Sequence, residues 1–183
     1  MLELKRKIDY RAITIRELII RGEVAVEDDC HSERESSFAE VYAVEAEALC
    51  AAMLDAGRRQ SSWRQGVRAA LTMLLHFAAE RPAVANALFR EVYVVGGPAL
   101  AKREEIVGRL TAALEAGSEP AEEGAIGIPH PARFVIGAVE GVIAGHLSRG
   151  QAERLPSVAP ELTRFIIGSF LGIEAAKELP VDA

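Results

Sequence analysis

Few of the 183 residues offer reactive chemistry. The densest group of candidate ligands is Asp28, Asp29, Cys30, His31, Glu33 and Glu35. Carboxylate, thiolate and imidazole all bind divalent metals, but a site needs defined spacing on a rigid frame. This run has neither, so it reads as a solvated acidic segment and no metal is expected. His76, His130 and His146 stand alone. His76, between Leu75 and Phe77, is expected to be a partly buried structural histidine, and His146, four after Val142, to lie at a subunit seam. No Gly-x-Ser-x-Gly elbow, phosphate-binding loop, dinucleotide fingerprint or paired-cysteine motif occurs. No catalytic residue and no cofactor is therefore assigned. A small all-α enzyme would require a pocket holding convergent titratable groups, which is not expected.

The elements that must position these residues are helical. Apolar residues make up 50% of the chain and aromatics 5%, with 27 acids against 21 Lys and Arg for a net charge of −6. A chain of this length forms one domain, or one with a small appendage, and buries roughly 70% of its unfolded surface. The most apolar stretch, Phe165 to Ile173, is flanked by Arg164 and Glu174, so no membrane span or membrane partner is expected. The first residues lack the apolar core of a signal peptide. Two cysteines, Cys30 and Cys50, make no disulfide framework, and a reducing cytoplasm is the simplest location.

Hairpin signals are absent, there is little period-two alternation, and helical periodicity dominates. A short helix over 14–21 is capped by Thr14, with Glu17 completing a capping box. Residues 22–35 lack period and are expected to be irregular. A long helix runs from about Ser36 to Ala56 and stops at Gly57. Ser61 or Ser62 caps the next, whose buried face is Val67, Ala70, Leu71, Leu74, Leu75 and Ala78. Pro82 starts a helix that is apolar nearly all round to Val95, which predicts burial on every side. Gly96, Gly97 and Pro98 break it. Over 98–116 an amphipathic helix should turn Lys102, Arg103, Glu104 and Glu105 to water, and Ile106, Leu110, Ala113 and Leu114 inward. A loop over 117–131 precedes two final helices, about 131–149 and 158–178.

Those last two helices carry Gly137, Gly141 and Gly145, then Gly168 and Gly172, spaced by four. Glycine within a helix costs about 1 kcal/mol relative to alanine, so five of them need a compensating reason. Spacing by four stacks them on one face, where a second helix can approach closely. Phe134, Ala138, Val142, Phe165, Ser169 and Ile173 flank those faces, leaving both helices apolar over more than one side. The pair reads as half of an intermolecular four-helix bundle in a two-fold homodimer, with His146 beside it.

Leu2 to Leu18, with its Leu-Glu-Leu start, Tyr10 and Ile-Thr-Ile-Arg-Glu-Leu run, resembles the end of helix 1 and the start of helix 2 of TetR-family transcriptional regulators. Trp63-Arg-Gln-Gly-Val-Arg-Ala-Ala-Leu, Glu80-Arg-Pro82 and Gly96-Gly97-Pro98 are similar to that family's ligand-binding half. The resemblance implies an all-α fold: a truncated or degenerate helix-turn-helix remnant over 1–40, then a helical ligand-binding and dimerisation domain over 41–183. It implies transcriptional regulation, with Thr14 and Arg16 at DNA. It also implies a cavity for an unidentified small apolar or amphipathic ligand, with Trp63, Met73, Phe77, Phe89 and Tyr93 as lining candidates and His76, Arg90 and Glu91 as polar anchors.

The chain departs from the family where DNA would be read. Helix 1 is expected to be short by about a dozen residues. Over residues 23–47 nine acids face one base, Arg34. A recognition helix draws its affinity from Lys and Arg, and Glu27, Asp28 and Asp29 would meet phosphates as like charges. Operator DNA is therefore a partner only if the reader domain is intact. The alternative is a DNA-independent ligand-binding and dimerisation module that sequesters a paralogue.

Overall fold

The computed structural model describes residues 30–117 and 131–172, with side chains from residue 36 onward. Thr14, Arg16, the 14–21 helix, most of the 117–131 loop and Ile173 lie outside the described residues. Everything described is helix and short connection, so the all-α class holds there. The elements are α1 (Cys30–Arg58), α2 (Trp63–Glu80), α3 (Pro82–Asn86), a π turn (Ala87–Glu91), α4 (Val92–Val95), α5 (Gly97–Gly117), α6 (Pro131–Ser148), a 3-10 segment (Ala152–Val158) and α7 (Ala159–Leu171).

α1 packs against α2 and α5, while α2 also packs on the 3-10 segment and α7. The pairing of α1 with α2 is a hairpin. Ser62 caps α2, its hydroxyl accepting from the Gln65 amide at 3.3 Å. Gly57 and Gly66 meet where the helices cross, and a Cβ on Gly66 would sit 3.1 Å from the Gly57 carbonyl oxygen. Gly57 is therefore a crossing point inside α1 rather than the helix stop expected of it. The core gathers Leu75, Val92, Ile143, Leu155 and Ile167, all fully buried.

α1 begins at Cys30, so the last six residues of the segment expected to be irregular are helical. Glu and Arg are good helix formers, and acids near a helix N-terminus suit its dipole, which offsets the missing apolar period. The helix expected to be buried on all sides buries Val84, Ala85, Leu88 and Val92, yet leaves Tyr93 half exposed and Val94 87% exposed. The π turn shifts the phase in mid-run, so one apolar side faces out. His76 is exposed, not partly buried, because Leu74, Leu75 and Ala78 occupy the inward side of α2. Arg103 does not face water: its side chain is only 12% exposed and points toward α6. α7 ends at Leu171, and residues 173–178 of the predicted helix lie outside the described residues. Gly172 caps it at φ 91°, a left-handed conformation that favours glycine.

Candidate ligand cavity

A cavity of about 480 Å³ runs between α1, α2, α5 and α6, with Leu88 and Phe89 of the π turn and Ile166 of α7 closing its sides. Its walls are read from the helices upward. α1 turns Tyr42, Ala46, Leu49, Cys50, Met53 and Gly57 toward it, three- and four-residue steps along one face. α2 contributes Trp63, Gly66, Val67, Ala70, Leu71 and Leu74, the face that also carries its core residues. α5 contributes Arg103, Ile106, Val107, Leu110, Leu114 and Gly117, and α6 contributes Val135, Val139 and Glu140. The π turn matters here. It places Leu88 and Phe89 on the wall, as the ordinary helices place Leu49 with Cys50 and Ile106 with Val107.

The two ends differ. At one end the lining residues Arg58, Gln60, Ser61, Ser62, Ala113 and Gly117 are exposed among the described residues, so this end is the mouth. Trp63 frames it. Its indole Nε1 donates to the Leu114 carbonyl at 3.0 Å, and its ring meets Phe170 edge-on at 5.2 Å. Gly117 lies flat against the indole, where a Cβ would come within 2.4 Å of Cδ1. The opposite end is closed and polar. Tyr42 is 4% exposed there. Arg103 donates through Nη2 to Glu140, whose side chain is 16% exposed, and its guanidinium stacks 4.9 Å over the Tyr93 ring. The Tyr93 hydroxyl donates to the same Glu140 carboxylate at 3.3 Å. Arg103 also bonds Glu104 at 2.7 Å, and Arg133 reaches Glu104 from outside.

Burial pushes the Tyr42 phenol well above its usual range, only partly countered by Arg103. Burial also raises Tyr93, with Glu140 adding to it. Burial works against the charge of Arg103, but the hydrogen bond and charge of Glu140 outweigh it, and the guanidinium is held more firmly protonated than usual. The closed end thus gathers titratable groups, contrary to the expectation of none. They form protonated phenols and a mutually neutralised ion pair, a set of hydrogen-bonding groups rather than an activated base. Cys50, also on the wall, has its thiol raised by burial, which leaves it unreactive.

Of the residues proposed from sequence to line a ligand site, Trp63 and Phe89 are on the wall. Phe77 and Met73 pack against the core elsewhere, and Arg81 covers the Phe77 ring at 5.1 Å. His76 and Met73 border a shallow hollow on the outside of α2. Arg90 is exposed and donates to Asn86 at 2.6 Å, and Asn86 in turn donates to Glu91 at 2.5 Å. Tyr93 stands behind the wall and orients Glu140. The α1 wall and the Arg103–Glu140 pair were missed. The spacing of Ala46, Leu49, Cys50, Met53 and Gly57 was the available signal for the first. For the second there was none, since Arg103 sits within a run of four charged residues.

The glycine-bearing face lies on the outside of α6 and α7. Phe134 is 68% exposed and Phe165 46%. Gly137, Ala138 and Gly141 are exposed, while Val142, Gly145, His146, Gly168, Ser169 and Gly172 are half-buried. A Cβ on Gly137 or Gly141 would meet nothing within 4 Å, so nothing among the described residues requires glycine there. His146 Nδ1 lies 3.0 Å from the Val142 carbonyl, and the Ser169 hydroxyl donates to the Phe165 carbonyl at 2.8 Å.

No protein-family model, no curated protein and no solved structure matches the chain. Among the described residues, no group of three or more His, Cys, Asp or Glu is placed to hold a metal, and no helix is long and apolar enough to cross a membrane.

Proposed function

We propose that the chain is a TetR-like transcriptional regulator whose helical body is a homodimer that binds a small apolar or amphipathic ligand. The observation that carries the reading is the cavity: apolar walls from four helices, one open end and one polar end, the general design of a small-molecule site. The exposed face of Phe134, Gly137, Ala138, Gly141 and Phe165 supports the dimer, because two glycines without a neighbour among the described residues gain a purpose if a second copy packs there. Ligand binding would couple to DNA through the relative placement of two N-terminal heads.

The acidic run over residues 23–47 favours a second reading, a module that binds ligand and dimerises without reading DNA, and that sequesters a paralogue. A gel shift at low salt against the chain's own upstream region separates the two. The regulator predicts a sharp, salt-sensitive complex, and the module predicts none. Light scattering at micromolar concentration tests what both share, and a monomer removes the dimer from either.

A further inference from the structure

We propose that the cavity takes an elongated apolar molecule carrying a neutral oxygen function, a hydroxyl or carbonyl, at its buried end, and that it discriminates against a carboxylate there. This rests on the ligand-binding reading and specifies its ligand.

The length comes from three walls independently. Lining residues span Tyr42 to Arg58 on α1, Ser62 to Leu74 on α2 and Arg103 to Gly117 on α5. At 1.5 Å per residue each span is about 20 Å. A volume of about 480 Å³ spread along that length makes the cavity longer than it is wide. A compact ring compound would fill part of it and leave apolar wall uncovered, whereas a chain covers the wall from mouth to closed end.

The head group follows from the charges at the closed end. Arg103 faces two carboxylates, Glu140 and Glu104, and Arg133 partners Glu104 in turn. The four charges alternate and cancel. Among the described residues Arg103 keeps one buried donor, Nε, without a partner, but its charge is already matched, so an incoming carboxylate would lie beside Glu140 and lose its hydration in an apolar tunnel. A neutral oxygen meets no charge repulsion and loses far less hydration energy than a carboxylate. The protonated Tyr42 phenol can donate to it, and a hydroxyl can in addition donate to Glu140. Mouth-first entry puts the other end of the chain beside Trp63, the chain's single tryptophan, which makes occupancy directly visible.

The test is a Trp63 fluorescence titration of the full chain at pH 8 with dodecanol, dodecanoate and 2-naphthol, repeated on Tyr42→Phe and on the double variant Arg103→Met/Glu140→Met. The double variant leaves no lone buried charge, and Tyr42→Phe removes a single hydroxyl. Dodecanol is expected to bind about tenfold or more tighter than dodecanoate. Both variants are expected to weaken dodecanol several-fold, Tyr42→Phe by removing the donor to its hydroxyl and the double variant by removing the acceptor. Dodecanoate binding as tightly as dodecanol overturns the inference. So does dodecanol affinity left unchanged by both variants. Naphthol binding without either chain compound overturns the inference while leaving the ligand-binding reading in place, and failure of all three removes both.

Discussion

Arg103 shows how a single residue can be misread from its neighbours in sequence. It sits in Lys102-Arg103-Glu104-Glu105, which reads as a solvated face, yet helical phase turns it toward Tyr93 and Glu140. Losing one partner of a largely buried pair costs about 3–5 kcal/mol because the other charge is stranded, whereas replacing both with apolar groups is close to neutral. Urea melts of Arg103→Met and of Arg103→Met/Glu140→Met should therefore show the double variant as the more stable of the two. Gly117 makes a second test at this scale. Alanine there drives a methyl into the Trp63 indole, which is pinned by Leu114 and Phe170. Overpacking of this kind costs about 1–3 kcal/mol, and it should shift both the unfolding midpoint and the tryptophan emission. Glu47 supplies the pH test. Hydrogen bonds from Arg109 and Lys102 hold its carboxyl below the ordinary 4.5. Its folded value is depressed, so its contribution is present above the unfolded value and is lost as pH falls through the folded one. The melting temperatures of wild type and Glu47→Gln should differ slightly at pH 7 and converge only as the pH falls through the depressed folded value of Glu47.

At the scale of elements, the sequence was most legible where pattern and packing agree. The buried face of α2 is Val67, Leu71, Leu74, Leu75 and Ala78, five of the six positions its spacing predicts, with Ala70 on the cavity wall. Ser62, Pro82 and Gly150 mark helix ends where their chemistry places them. It was least legible where one residue type serves two purposes. Gly57 ends a helix by propensity but here lets two helices touch, and Gly172 belongs to a spacing of four but here caps a helix. The π turn left no trace in periodicity because every residue near it is compatible with an ordinary helix, and with it went the outward Val94. Gly137 and Gly141 carry the prediction proper to this scale. In a monomer, alanine at both should stabilise α6 by about 1 kcal/mol per site, since none of the described residues lies within 4 Å. In a dimer packed on that face the two methyls obstruct the approach. Sedimentation of Gly137→Ala/Gly141→Ala should find a well-folded chain with weakened self-association.

For the whole molecule, the uneven charge acquires a structural meaning. Residues 23–47 are strongly acidic, and two of their acids close pairs with the more basic middle of the chain: Glu45 with Arg81 at 2.8 Å, and Glu47 with Arg109 at 2.7 Å and Lys102 at 3.1 Å. Such surface pairs are each worth little, but they orient α1 against α2 and α5, the helices that wall the cavity. Native mass spectrometry of the full chain with added dodecanol reads the proposed dimer and its ligand binding together. The account predicts a species of twice 19.7 kDa that takes up dodecanol. A 19.7 kDa species at micromolar concentration, unchanged by the additive, would contradict it.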